Sequence, residues 1–225
     1  YSLTHQKVYY PFYIVLFLPN LKPNRRYAPM PRVEPLAREE LSEFEEFFKV
    51  IEETMGFVPN SMLTMGRSPE ILRAFSGLSG AVLMAGTISR EHKQLIALVA
   101  SHSAGCRYCQ AHTAHGAEKA GVVSEKIAAA FEFETSPLFD DGERAVLRVA
   151  RDAACVPNRT TDEQFEALAQ HYSEVEMVEI VAVISMFGWL NRWNDTMATE
   201  LEGGSLAFAK RALGPQGWEP GRHVR

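Results

Sequence analysis

The chain has 225 residues, 46% of them hydrophobic and 23% charged, with a formal net charge of −5. That length and composition allow a sizeable buried core in one large domain or two small ones. The negative balance, without a basic stripe interleaved with aromatics, argues against a nucleic-acid binder and against a protein held on anionic membrane surfaces. Three cysteines, Cys106, Cys109 and Cys155, are too few and too odd in number for a secreted disulfide framework, and fit a cytoplasmic redox or metal protein better.

The first segment, Val8 to Leu18 (VYYPFYIVLFL), is apolar and interrupted by Pro11. It is shorter than the ~20 apolar residues that cross a bilayer, and it lacks the basic start and small-residue cleavage site of a signal peptide. Its β-branched and aromatic content suits an extended arm packed on the body or on another subunit, with a membrane-interacting segment as the lesser alternative. Residues 20–31 (NLKPNRRYAPMP) read as a linker. The expected organisation is an arm and linker over 1–34, a helical domain over 35–202 and a tail over 203–225.

After Pro35 the sequence turns helical. Leu36 to Met55 places Glu, Leu and Phe at helical spacing until Gly56-Phe57-Val58-Pro59-Asn60 breaks it. Ser61 to Ala85 reads as one or two helices, with Pro69 in a first turn and Gly86 after the end. Ser89 caps a helix from Arg90 to about His102, and Glu91 faces the positive end of its dipole. Ala104-Gly105 interrupts the chain. A further helix runs from near Cys106 to about Lys119, where Gly121 suits a left-handed cap.

Ser124 is expected to cap a short helix through Phe133, followed by a loop to Gly142 and a helix from Glu143 to Ala154. Thr161 with Gln164 forms a capping box for Glu163 to His171, and Ser173 starts the long apolar stretch Glu174 to Met197. No useful period-two alternation appears in this body, so the fold is expected to be all-α, a single helical bundle. One internal similarity stands out. Gln94-Leu-Ile-Ala-Leu-Val leads into Cys106-Arg-Tyr-Cys109 just as Glu179-Ile-Val-Ala-Val-Ile leads into Asn191-Arg-Trp-Asn194. Two related helical hairpins, only the first with thiols, are one reading of it; chance is the other.

The cysteine pair carries the chemistry. Residues three apart on a helix share a face, at a Cα separation that a disulfide can bridge. At a helix start, unpaired N–H groups and the dipole stabilise a thiolate, which is the nucleophile. The break at Ala104-Gly105 puts Cys106 at or near such a start, beside Arg107. One sulfur attacks a peroxide or disulfide and the other resolves the product as an internal disulfide.

His112 lies three residues beyond Cys109 and is the candidate for moving the thiol proton or protonating a leaving oxygen. His102, folding back across the break, and Tyr108, as a hydrogen-bond donor or a packed aromatic, are supporting candidates. Cys106, Cys109, His112 and His115 look like a ligand string, but on one helix they span about 13.5 Å and drift through about 180°. Zinc needs its ligands within ~2.3 Å of one point. No metal or cofactor is therefore expected, a site completed by ligands from elsewhere being the lesser alternative. Without a second CxxC or a βαβ pattern, neither a four-cysteine cluster nor a thioredoxin fold is indicated. Cys155 reads as an inert cysteine.

The stretch from Ile88 through Gln94 to Cys106-Arg-Tyr-Cys-Gln-Ala-His112 resembles the carboxymuconolactone decarboxylase and alkylhydroperoxidase D-like superfamily. Gly56-Phe-Val-Pro-Asn60 and Asn191-Arg-Trp-Asn-Asp195 resemble markers of its peroxidase-related branch. The resemblance implies an all-helical domain, assembly into homo-oligomers, and reduction of a small-molecule hydroperoxide by the thiol pair with an unidentified dithiol reductant. It gives the attacking role to Cys109 and the resolving role to Cys106, whereas the helix-start argument favours Cys106. Two positions depart from the family pattern. Gln94 stands where the family carries a relay Glu, with Glu91 one turn earlier as a substitute, and Thr113 stands where it usually carries the histidine, His112 lying one residue before. The expected function is antioxidant, thiol-dependent reduction of hydroperoxides or disulfides. A non-catalytic redox sensor or assembly module, and a lactone-decarboxylase-like enzyme, are the alternatives.

Overall fold

The computed structural model describes residues 31–224, and among them every regular element is helical. The apolar arm and all but the last residue of the linker lie outside the described residues. A 3-10 stretch, Arg38–Phe44, leads into α1 (Glu45–Met55), which ends at Gly56 with φ +87°. Helices α2 (Asn60–Met65) and α3 (Pro69–Ser79) follow, the second with proline in its first turn, and a π-helical turn, Gly80–Met84, extends it. Helix α4 (Arg90–Ser103) is capped as expected, the Ser89 hydroxyl accepting the His92 N–H. Helix α5 (Arg107–Ala120) ends at Gly121, φ +108°, a conformation that costs glycine little.

Two helix starts differ from expectation. Ser124 is the first residue of α6 (Ser124–Ala128) rather than its cap, a position held by Val123, which makes no side-chain bond. Helix α7 (Asp141–Ala153) begins two residues early because Asp140 and Glu143 close a reciprocal capping box. Helices α8 (Asp162–Leu168) and α9 (Glu174–Met197) carry the boxes at Thr161–Gln164 and Ser173–Glu176. Helix α10 (Gly203–Ala212) and two 3-10 turns, Gly214–Gln216 and Gly221–His223, complete the described chain.

The α4–α5 hairpin is the centre of the bundle: α7 and α9 pack on α4, and α10 packs on α5. Leu95 to Ala100 of α4 are all buried, as a helix covered on nearly every side requires. Alanines at the centre, Ala97 and Ala100 of α4 with Ala111, Ala114 and Ala117 of α5, are at most 1% exposed. Their small side chains leave room for close helix approach.

The two segments that share a sequence pattern take different forms. The first bends at Gly105, φ +79°, between α4 and α5. The second runs unbroken through α9. Its Glu179 still reaches the first: the carboxylate accepts the Thr87 and Ile88 N–H groups at 2.9 to 3.0 Å, tying α9 to the entrance of α4. Gly86 adopts φ +90° there, a conformation glycine takes at little cost, and a Cβ at its position would displace that carboxylate. Helix α9 ends at Ala198 in a left-handed conformation, φ 50°. Among the described residues no helix is long and apolar enough to cross a membrane.

Leu98 sits in the middle of α4 with no exposed surface. Leu98→Ala is expected to lower unfolding stability by about 2–5 kcal/mol, measured as a shift of the urea midpoint with native helix content retained by circular dichroism.

Candidate active site

Cys106 occupies the N-cap position of α5, with extended backbone, and its Sγ accepts the Cys109 N–H at 3.4 Å. Both are free thiols, 0% and 2% exposed. The sulfurs face different surroundings. Cys109, but not Cys106, lines a cavity of about 200 Å³. Phe47, Ile51, Met62, Phe75, Phe187 and Leu190 give that cavity apolar walls, while Gln94, His112 and Asn194 add polar groups. Asn194 of α9 donates its Nδ2–H to the Cys109 sulfur at 3.4 Å. Burial above all, then the hydrogen bond and charge of Cys106, push the Cys109 thiol well above its ordinary range; the Asn194 bond works the other way. Cys109 therefore holds its proton more tightly than an ordinary thiol.

On the cavity side stands an imidazole–carboxylate pair. His112 Nε2 lies 2.5 Å from Glu202 Oε2, their side chains 9% and 13% exposed. The other carboxylate oxygen accepts the Tyr108 hydroxyl at 3.0 Å and the Asn60 N–H at 2.5 Å. The His112 ring is stacked on Tyr108 at 4.2 Å and meets the edge of Phe57 at 5.5 Å. Burial opposes ionisation of Glu202, yet the charge and hydrogen bond of His112, with the N–H groups of Asn60 and of Glu202 itself, hold its carboxyl below the ordinary value. Burial, with the Glu202 charge, keeps the Tyr108 phenol protonated to high pH.

A second pair lies near Cys106. His223 is 1% exposed; its Nδ1 meets the Thr199 carbonyl at 2.8 Å and its Nε2 meets Asp195 Oδ1 at 3.1 Å. One sulfur, oxygen and nitrogen atom of Cys106, Asp195 and His223 lie within 4.8 Å of one another. The Leu201 N–H donates to the His223 carbonyl at 2.8 Å and fixes this segment against α9's exit.

The structure brings Cys106, Cys109, Tyr108 and His112 together, with Gln94 in the cavity wall against Gly116. Glu91 is exposed at the start of α4, where its own N–H and Ser89 hold its carboxyl low, a helix-end role. His102 is exposed, its ring stacked on Phe131 at 3.8 Å, and it does not line the cavity. His115 stacks on Phe57 and shares a 3.4 Å contact with the Ser205 hydroxyl. Cys155 donates to the Arg151 carbonyl at 3.4 Å.

Sequence reasoning missed Glu202, Asp195, Asn194 and His223. The motifs Gly56–Asn60 and Asn191–Asp195, noted only as markers, contain four residues that touch the site: Phe57, Asn60, Asn194 and Asp195. Glu202 carried a fainter signal, the Gly203-Gly204 pair after it. Gly204 lies against His115 and Phe57, within van der Waals reach of both rings.

Residues 69–152 match the family model described as the carboxymuconolactone decarboxylase family. Among solved structures, the debrominase Bmp8 is 38% identical, with a TM-score of 0.76 for its apo form over 80% of this chain and 97% of that one. A cysteine-to-alanine variant of Bmp8 in complex with 2,3,4-tribromopyrrole gives a TM-score of 0.77, over 80% and 96%. A peroxidase-related protein with an alkylhydroperoxidase AhpD core, from Ralstonia eutropha JMP134, shares the fold at 20% identity, TM-score 0.66, over 75% and 88%. The curated protein YdfG of Bacillus subtilis strain 168 is 26% identical over 109 residues, 48% of this chain and 72% of that one.

The lowered carboxyl of Glu202 predicts a pH signature. Its folded pKa lies below the ordinary 4.5, so its contribution to stability is present above that value and is lost as pH falls through the folded pKa. Glu202→Gln is expected to destabilise by about 1–3 kcal/mol at neutral pH and by progressively less as pH falls below the ordinary value. Urea unfolding of parent and variant at several pH values measures both.

Proposed function

The chain belongs to the carboxymuconolactone decarboxylase family, and we propose that it is a cofactor-independent thiol reductase that passes two electrons from Cys106 and Cys109 to a small apolar electrophile, first of all an organic hydroperoxide. The observation that carries this reading is the position of Cys109, between its partner cysteine and an apolar cavity edged by His112, whose ring Glu202 holds. The cavity favours Cys109 as the sulfur that meets substrate, the role the family resemblance gives it.

The proposed cycle balances on these residues. Cys106, as the thiolate, takes the proton of Cys109, whose sulfur attacks the terminal oxygen of R–O–O–H. The O–O bond breaks, R–O⁻ takes a proton from His112 and leaves as the alcohol, and Cys109 becomes a sulfenic acid. Cys106 then attacks the Cys109 sulfur, the S–O bond breaks, and water leaves with formation of the internal disulfide. A dithiol reductant restores both thiols. Glu202 supplies to His112 the carboxylate that Gln94, an amide, does not. A cytoplasmic, reducing setting and a homo-oligomeric assembly belong to the same proposal.

A second reading is favoured by the relative at 38% identity whose cysteine variant holds 2,3,4-tribromopyrrole. The aromatic and aliphatic cavity walls suit a flat halogenated ring. Reductive debromination has the same electron balance. The thiol pair gives up two electrons and becomes a disulfide, the C–Br bond breaks with loss of bromide, and the carbon takes a proton from an acid such as His112.

With dithiothreitol as reductant, Cys106→Ser and Cys109→Ser are each expected to abolish turnover, and His112→Asn to slow it about 10²–10⁴-fold. Loss of an organic hydroperoxide and bromide release from a polybrominated pyrrole, measured in parallel, distinguish the two substrates. Serine variants as active as the parent on both would refute the reductase; a pair that oxidises readily without turnover would make the protein a redox sensor.

A further inference from the structure

We propose that His223 and Asp195 are the acid–base pair of Cys106, holding its thiol proton while it acts, so that each sulfur is served by its own imidazole–carboxylate pair. This rests on the reductase reading and deepens it. His223 stands as a positioning residue outside the substrate cavity.

Hydrogen-bond geometry supplies the argument. His223 Nδ1 faces the Thr199 carbonyl at 2.8 Å, and a carbonyl only accepts, so Nδ1 carries a proton. Nε2 faces a carboxylate oxygen of Asp195 at 3.1 Å. Two lone pairs do not face each other at that distance without cost; a proton between them satisfies both. The Cys106 thiol, part of the same cluster within 4.8 Å, is the adjacent source. Its S–H bond breaks, the electron pair stays on sulfur, and the proton joins His223 Nε2, with Asp195 balancing the imidazolium charge. The sulfur that results already accepts the Cys109 N–H in the first turn of α5, where backbone polarity favours an anion.

The other charged and titratable groups leave this assignment open to His223. From α5, Cys109 meets Cys106, and the Tyr108 ring lies 5.8 Å from that of His223, but the Tyr108 hydroxyl is engaged by Glu202. Arg107 reaches the Gln110 side chain instead. From α9 comes Asp195, whose side chain is 40% exposed and joins the buried pair to solvent. Glu202 is taken by His112 on the cavity side. In the cycle, the electron pair on Cys106 forms the S–S bond with the sulfenic acid of Cys109. The S–O bond breaks, and the departing hydroxide leaves as water with the proton that Cys106 took from Cys109, while His223 stays protonated and ready to balance the Cys106 thiolate of the next cycle.

The test titrates Cys106 alone. In a Cys109→Ser, Cys155→Ser background, thiolate absorbance is followed against pH with and without His223→Gln, folding being checked by circular dichroism. The midpoint is expected to rise by about one unit or more in the glutamine variant. A second measurement leaves His223 in place: Cys106→Ala is expected to lower the pH at which the His223 ring titrates by nitrogen NMR, the reciprocal of the first shift. An unmoved midpoint in folded His223→Gln, or an unmoved His223 titration in Cys106→Ala, overturns the proposal. So does stoichiometric zinc in the parent that is lost in His223→Gln, which would mean that the cluster binds a metal instead of a proton. Neither titration uses substrate. A protein inactive on hydroperoxides and bromopyrroles therefore sinks the reductase reading while these shifts persist, and an active one with unmoved midpoints sinks this proposal alone.

Discussion

A single buried carboxylate, shared three ways, holds the candidate site in register. Glu202 accepts the Asn60 N–H at the start of α2, the Tyr108 hydroxyl from the first turn of α5, and the His112 ring one turn further on. A buried carboxylate is costly unless its oxygens are satisfied, so each of these partners is needed by the others. The consequence is positional. The His112 ring, clamped between Tyr108 and the edge of Phe57, has one orientation toward the cavity and one carboxylate behind it. Three parts of the chain separated by up to 142 residues are thereby fixed around one turn of helix.

The two cysteines sit in unequal surroundings. Cys106 holds the N-cap position, where the helix offers it an N–H donor; Cys109 holds the cavity wall, where burial raises the cost of its anion. Helix-start electrostatics alone favour Cys106, and the family resemblance favours Cys109. The two preferences attend to different features of the geometry, the helix start at one sulfur and the cavity at the other. The sulfur at the helix start faces away from the cavity, and the one that lines the cavity lies one turn along the same helix.

What could be read from the sequence was local. Helix content, the cap at Ser89, the boxes at Thr161 and Ser173 and the glycine ends at Gly56 and Gly121 follow from short-range backbone chemistry, and they stand where expected. So did the thiol pair and His112, which share one helix. The roles of Glu202, Asp195 and His223 were not legible: a Gly-Gly pair after Glu202 and a marker motif ending at Asp195 do not say what either carboxylate touches, and nothing near His223 sets it apart. They matter through contacts spanning 90 residues between His112 and Glu202 and 28 between Asp195 and His223. The Asn191–Asn194 segment shows the same limit. Its sequence likeness to the cysteine motif was visible, but not that α9 runs straight through it and lays Asn194 on the very thiol it mirrors.

The left-handed step at Ala198 ties both histidines to one short stretch of backbone. A non-glycine residue in that conformation carries roughly 1–2 kcal/mol of strain, and the turn reverses the chain directly after α9's last residues. Within nine positions, 194 to 202, it delivers the amide on Cys109, both oxygens that hold His223, and the carboxylate that holds His112. For protein engineering this makes the segment a single cassette: transplanted into a related scaffold, it would carry the partners of both histidines together, and splitting it at Ala198 would separate them.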